Sequence, residues 1–306
     1  MYKVLKQIEA MKLLIIAVLV LSCSSVMFTA CNDDDEEGGG GDTVNPAPDH
    51  FFTQIVDETV SFDMIKVDSG VFTLGGATNS YSAMPNAYLD TVGEFYIGAT
   101  EVTQALWYAV KGSYPAEEEM LYACGYGSHY PVYYVSHIDL VGRAAGGQKV
   151  YSYNGVDYYH NGFCAQLSAY INGGTVGELH YRLPTEAEWE FAARGGNKAR
   201  NCDYSGSNDL SLVGWWQTNN EGVSARPVGT RQANELGIFD LSGNVFEWVA
   251  DGFFPYGLGI GQTTTEKAYR GGSWNGDAED CRITKRYSAA QNWKYYRLGF
   301  RLAITL

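Results

Sequence analysis

The residues best suited to chemistry lie in one stretch, "RGGSWNGDAEDC", residues 270–281. It holds a serine, Ser273, and ends in a cysteine, Cys281, behind an acidic run. A cysteine acts as nucleophile or metal ligand only as the thiolate. Glu279 and Asp280 oppose that ionisation, whereas Arg282 favours it. As a lone nucleophile Cys281 would also need a base or a positive environment. A buried or disulfide-bonded residue is the simpler alternative. Cys124, Cys164 and Cys202 could pair with it in any of three connectivities. No CxxC and no zinc spacing is present. The histidines, His50, His129, His137, His160 and His180, are scattered without metal-ligand spacing. There is no GxSxG, P-loop or HExxH. "GLGIGQ" (257–262) reads as a flexible loop, because no strand–turn–helix frames it as a phosphate cradle. Carboxylates abound, but no spacing singles out a glycosidase pair.

The elements that must position this stretch are short. "MIKVDSGVFTLGG" (64–76) alternates apolar and polar residues into a glycine pair, which reads as strand and turn. Residues 94–112 read as a strand and then a helix from Glu101 to Val110, with Val102, Leu106 and Val110 on one face. "PVYYVSHIDL" (131–140) reads as a strand, "FCAQLSAYI" (163–171) as a helix, and residues 143–161 as an inserted hairpin or loop. In "YRLPTEAEWEFAARGG" (181–196), Thr185 and Glu188 form a capping box and Gly195 supplies the stop. Ala187, Phe191 and Arg194 line one side of that helix, with Glu186 and Glu190 on a more polar face. "GIFDLSGNVFEWVAD" (237–251) folds around the turn "SGN". "AYRGGSWN" (268–275) and "YRLGFRLAIT" (296–305) read as paired closing strands.

Composition sets limits. Glycine, 36 of 306 residues, stands at about 12% against an average near 7%, which with 23 tyrosines argues against a helix bundle. From Met11 a lysine, an apolar run over 13–21 and small residues have the shape of a signal peptide, too short to span a bilayer as a helix. "FTAC" (28–31) resembles a lipobox, so Cys31 is the expected lipidation site; Cys23 follows the apolar core too closely. The plainer alternative is secretion with cleavage near Ala30. Residues 31–50, "CNDDDEEGGGGDTVNPAPDH", are then an acidic, glycine-rich tether, which would hold the domain some ~25 Å from the membrane. Acids placed just after the lipidated cysteine resemble the surface-export signal of Bacteroides-like lipoproteins. The net charge is −14. Residues 1–30 carry Lys3, Lys6, Lys12 and Glu9, a net of +2, so their removal leaves −16 (−14 − 2). That excludes a basic footprint for nucleic acid. Residues 51–306 are long enough for one large domain with its own core.

The blocks "MIKVDSGVFTLGG", "ATEVTQALW", "PVYYVS", "YRLPTEAEWEFAARGG", "GIFDLSGNVFEWVAD", "RGGSW" and "RLGFRLA", in this order over residues 62–306, resemble the formylglycine-generating enzyme family, also called sulfatase-modifying factors. The resemblance implies a single irregular, loop-rich α+β domain related to the C-type lectin fold. His137 stands where the family often has Trp. Active members oxidise a sulfatase cysteine to formylglycine with oxygen and copper, at a site resembling "RGGSxxCxxxxC". Two thiolates there hold Cu(I), a soft ion suited to sulfur. The match places Ser273 on the active-site serine and Cys281 on the second cysteine. Gly276 falls on the first, and glycine cannot bind copper. The resemblance therefore implies no formylglycine-generating activity and no copper.

Calcium is the metal that the resemblance does imply, as a structural ion. The family's site around the "GN" turn carries over to Asp240, Gly243, Val245 and Glu247, hard oxygen donors that suit Ca²⁺. Alternatively, Asp240 caps the turn and Glu247 pairs with an arginine. Nine tyrosines in 122–159 (Tyr122, Tyr126, Tyr130, Tyr133, Tyr134, Tyr151, Tyr153, Tyr158 and Tyr159) mix with Gly, Ser and Asn as in an antibody paratope. A second aromatic set, Tyr287, Trp293, Tyr295 and Tyr296, joins Trp274, Asn275 and Asp277 as expected ligand contacts. The C-terminal stretch also resembles the variable region of ligand-binding proteins of this fold that retroelements diversify. Three functions follow as expectations. The first is a lipoprotein on the outer face of a bacterial outer membrane, whose non-catalytic domain binds a protein or glycan. The second is an oxidase or thiol-modifying enzyme acting on sulfatases. The third is a structural subunit of an outer-membrane assembly.

Overall fold

The computed structural model describes residues 51–174, 179–255 and 264–305. The leader, Cys31, the tether and the 257–262 loop lie outside the described residues. Among the described residues no helix is long and apolar enough to cross a membrane.

Numbered along the chain, β1 (Phe51–Ile55), β2 (Ser61–Val67), β5 (Phe95–Gly98) and β12 (Ala303–Ile304) form one antiparallel sheet in the order β1-β2-β5-β12. The last strand thus closes against the first part of the domain. A second sheet has the order β10-β9-β8-β11, from β8 (Phe246–Gly252), β9 (Glu266–Arg270), β10 (Arg286–Ala290) and β11 (Leu298–Phe300). Two hairpins complete the strands: β3 (Gly70–Leu74) with β4 (Tyr88–Val92), and β6 (Lys149–Tyr153) with β7 (Val156–Tyr159). The second is the hairpin expected within 143–161.

Local signals place the helices. Thr103 caps α1 (Gln104–Lys111) by accepting from Leu106 N, so this helix begins three residues later than the apolar spacing suggests. The next helix is α2 (Glu118–Cys124). The expected strand over 131–140 is absent. Ser136 and Asp139 close a capping box that starts α3 (His137–Val141), and the chain before it makes only a bridge at Pro131. Burial there does not alternate either: Val132, Tyr133 and Val135 are buried, and only Tyr134 is half-buried. Helix α4 (Phe163–Ile171) forms where expected. Helix α5 (Glu186–Ala193) carries the expected Thr185–Glu188 box, and Gly195 follows in the left-handed region at φ 94°. The two closing segments do not pair with each other. β9 and β11 lie on opposite sides of β8, because the apolar β8 is buried and recruits both.

Two large apolar clusters and two smaller ones fill the domain. Trp107, Phe163, Phe300 and Trp248 centre one large cluster; Trp189, Phe191, Phe95 and Ile97 centre the other. Between them α5 holds three buried carboxylates, not a polar outer face. Arg270 of β9 donates to Glu186 at 2.8 Å and to Glu190, and Arg286 of β10 donates to Glu186 at 2.8 Å. Arg182 grips Glu188 at 2.7 and 2.8 Å, and Arg194 donates to Glu190 at 2.9 Å. Such pairs carry a large desolvation cost, so removing one partner strands the other. Arg270→Ala should therefore cost about 3–5 kcal/mol, read as a drop in the denaturation midpoint. A change within 1 kcal/mol or so would mean that the network relaxes around the loss.

Candidate functional site

The segment leaving β9 turns on Gly271 and Gly272, at φ 96° and 78°, a region that side chains disfavour. Space demands glycine as well. A Cβ on Gly272 would stand 2.5 Å from the Cys281 sulfur. Ser273 follows, fully buried, with its hydroxyl unpartnered among the described residues. Trp274 N donates to Asn244 O at 2.7 Å, and Gly276 O accepts from Gln217 N at 3.1 Å, which fixes the loop against the "SGN" turn.

Cys281 is buried beside Tyr204, Leu210 and Val213. Burial, then the Asp280 carboxylate, pushes its thiol far above the ordinary range, against a smaller lowering by Ser273 N–H. The side chain is thus a protonated, apolar thiol. Arg282 does not help it, because that guanidinium pairs with Glu279 and covers the Tyr81 ring. All four cysteines of the domain are free. Cys164 and Cys124 pack in other clusters, and Cys202 sits by Arg200 and Glu235. At Gly276 a Cβ would meet the Asp280 carboxylate at 3.0 Å. One buried, protonated thiol, with glycine at 276, does not fit a two-thiolate copper centre.

The chain around the "SGN" turn enters the left-handed region three times. Asp240, Gly243 and Asn244 have φ of 59°, 99° and 55°. Val245 is buried behind it. Glu247 faces inward, its carboxylate held by Arg301 at 2.7 and 2.6 Å and by the Trp189 indole at 2.8 Å. Asp240 accepts from Gly229 N at 2.7 Å through one oxygen, while its other oxygen is buried. Glu101, in "ATEVTQ", is buried next to it, and the hydrogen-bonding neighbour of its carboxyl is Asp240 itself. No spacing rule links these two acids, so the sequence offered no signal for Glu101. Burial raises the Asp240 carboxyl to about 6, against lowering by Gly229 N–H, Arg301 and a hydrogen bond from Glu101; burial, then the Asp240 and Glu247 carboxylates, raises the Glu101 carboxyl well above its usual range. Buried carboxylate oxygens beside a tight turn fit a hard cation. The residues that fit are Asp240 and Glu101, with Glu247 occupied by Arg301. Among the described residues no three His, Cys, Asp or Glu side chains converge, so backbone carbonyls would have to complete the shell.

The C-terminal aromatics form one continuous array. Tyr269 stacks on Tyr287 at 5.6 Å and lies 6.2 Å from Trp293. Trp293 stacks on Tyr295 at 4.8 Å, Tyr295 contacts Tyr296 at 4.6 Å, and Tyr296 lies 6.1 Å from Trp274. Arg297, which sequence reading passed over, lies 4.8 Å from the Tyr295 ring and donates to Asn275. Tyr287 donates to Asp280, and Asp277 accepts from Asp280 N at 3.1 Å. Trp274 is buried, Asp277 is exposed, and the array is half-buried with Trp293 37% exposed. The nine earlier tyrosines divide: Tyr133 and Tyr158 are core, whereas Tyr122 and Tyr126 are exposed. His137 is buried edge-on to Trp248 at 5.8 Å. A cavity of about 700 Å³ lies toward the other end of β9, lined by Tyr88, Asp90, Asp251 and Lys267, and takes in none of the expected site residues.

With this geometry in place, comparison with known proteins places the chain. The sulfatase-modifying factor enzyme 1-like domain family matches residues 53–306. "Chaperone protein LppX" of Paenibacillus barcinonensis is 34% identical over 218 residues, 62% of this chain and 71% of that protein. "Inactive C-alpha-formylglycine-generating enzyme 2" of Mus musculus is 34% identical over 136 residues, 40% of this chain and 42% of its own length. The solved structure of "Treponema denticola variable protein 1" superposes with a TM-score of 0.65 at 27% identity, over 83% of this chain and 98% of that one. The chain belongs to the sulfatase-modifying factor family and has its loop-rich α+β fold.

The buried acid pair has a consequence for pH. A carboxyl whose folded pKa is raised binds more protons folded than unfolded, so stability falls as pH rises from about 4 through 6. For a shift from 3.8 to about 6, the loss is on the order of 2–3 kcal/mol. Asp240→Asn with Glu101→Gln should therefore be more stable than the parent at pH 7.5 in chelator, and lose that advantage at pH 4. Equal midpoints at both pH values would show that burial does not raise these two carboxyls.

Proposed function

From membership of that family, and from a site with one protonated thiol, we propose that the chain is a non-catalytic binding module. It is anchored through lipid on Cys31 to the bacterial outer membrane and displayed at the cell surface. Its ligand is a protein or glycan, held at the aromatic array beside Ser273–Asp280. The observation that carries this reading is the array itself. Five rings run together from the half-buried Tyr269 and Tyr287 to the exposed Trp293, with Tyr295 and Tyr296 beside it and Arg297 and Asp280 as polar partners. Tyr, Trp and Arg are the residues that dominate binding energy at interfaces, because they offer large rigid area with a polar end. A relative named as inactive and another named as a chaperone agree with partner binding without turnover.

Calcium in this reading is structural, held by Asp240 and Glu101 with the turn carbonyls at Gly243 and Val245. It would compensate two buried charges and stiffen the turn that Trp274 N grips. Calcium should then raise the melting temperature of the parent at pH 7.5 and leave the Asp240→Asn, Glu101→Gln variant unmoved. The same rise in both would place the ion elsewhere.

The full chain, loaded with Cu(I) and given oxygen and a peptide bearing the sulfatase-type cysteine motif, should yield no aldehyde by mass spectrometry. Aldehyde that disappears in Cys281→Ser would replace binding with catalysis as the function. For binding itself, the readout is capture on peptide and glycan arrays. Trp293→Ala with Tyr295→Ala should weaken any array hit at least about tenfold, about 1.4 kcal/mol. Undiminished hits would move the ligand site off this surface.

A further inference from the structure

A second aromatic surface lies on α1, α2 and the loops after them. Tyr108 contacts Tyr114 at 5.0 Å, Tyr114 contacts Tyr126 at 5.6 Å, and Tyr126 contacts Tyr122 at 5.0 Å. The rings are open to water: Tyr108 is 49% exposed, Tyr122 64% and Tyr126 40%. Contiguous exposed apolar surface of this kind marks an interaction site. A groove of about 390 Å³ runs along it, lined by Tyr108, Tyr114, Tyr126, Ala105, Val60 and Asp57.

Acidic residues border the strip. Asp57 stands in the groove, and the Glu118 carboxylate is close enough to Tyr122 to raise that hydroxyl's pKa. Glu58, Glu117 and Glu119 are exposed on the same two segments. None of these five acids forms an ion pair among the described residues. The nearest lysine along the chain, Lys111, is turned away to Gln166 at 2.8 Å. Ring faces carry negative potential, so exposed tyrosines beside unpaired carboxylates select a cation. A guanidinium satisfies both partners at once, stacking on a ring while donating to a carboxylate. A polyol could donate hydroxyls to these acids but would leave their charge uncompensated.

We propose that the strip Tyr108–Tyr114–Tyr126–Tyr122, with Asp57 and Glu118 beside it, docks a basic, arginine-bearing segment of a partner protein. This surface is separate from the C-terminal array, and its test does not depend on that one.

The probe is a fluorescent eight-residue peptide alternating Arg and Gly, titrated into the full chain at physiological salt and followed by anisotropy. Its control is the same peptide with neutral citrulline for arginine. The Arg peptide should bind and the citrulline peptide should not. Tyr122→Ala with Tyr126→Ala should weaken binding about tenfold, equivalent to about 1.4 kcal/mol, and Glu118→Gln should weaken it by less. Glu266→Gln, which removes an exposed acid on β9, should leave affinity unchanged. Circular dichroism checks that each variant folds; Tyr122→Ser alone replaces the double variant if that one does not. Equal losses in Glu266→Gln and Glu118→Gln, or parent-like binding by the tyrosine variants, would reduce the attraction to net charge and overturn the proposal. Binding of the citrulline peptide, or of cellohexaose in place of the Arg peptide, would also overturn it by assigning the strip to a neutral ligand.

Discussion

The structure depends on burying the carboxylates of α5 against arginines from separate parts of the chain. Glu186 holds Arg270 and Arg286, Glu190 holds Arg270 and Arg194, and Glu188 holds Arg182. A buried carboxylate without a partner costs several kcal/mol, so α5 cannot settle until β9, β10 and the 181–184 segment are in register. In a fold with short strands and few helices, these charge pairs supply the specificity that long regular packing supplies elsewhere. Arg270 is both the end of β9 and the first residue of the candidate site. The position of Ser273 and Cys281 is therefore inherited from the α5 network.

Features set by neighbouring residues were legible in the sequence. The Thr185–Glu188 box, helix 163–171 and the 143–161 hairpin depend on spacings of a few residues, and all three formed. The 131–140 strand failed for a related reason. The Ser136–Asp139 box is a local instruction within that segment, and it starts a helix. Pairing was less legible than element type. Both closing segments are apolar and short, and nothing in either says that β8 will stand between them.

The site was legible unevenly for the same physical reason. "RGGSW" and the position of Cys281 are sequential, so the glycine turn and the single thiol could be read directly. Glu101 could not, because only folding brings β5's end against Asp240. Arg297 also escaped, since its role lies in the rings around it and in Asn275 across the loop.

The missing cysteine and the aromatic surface are one feature. With glycine at 276, the space that a side chain there would enter is taken by the Asp280 carboxylate. Asp280 in turn accepts from the Tyr287 hydroxyl, and Tyr287 stacks on Tyr269 and packs edge-on to Phe246 at 5.5 Å. A side chain at 276 would require the Asp280 carboxylate to give by a few tenths of an ångström, so the residue at 276 and the first ring of the array are coupled through one acid.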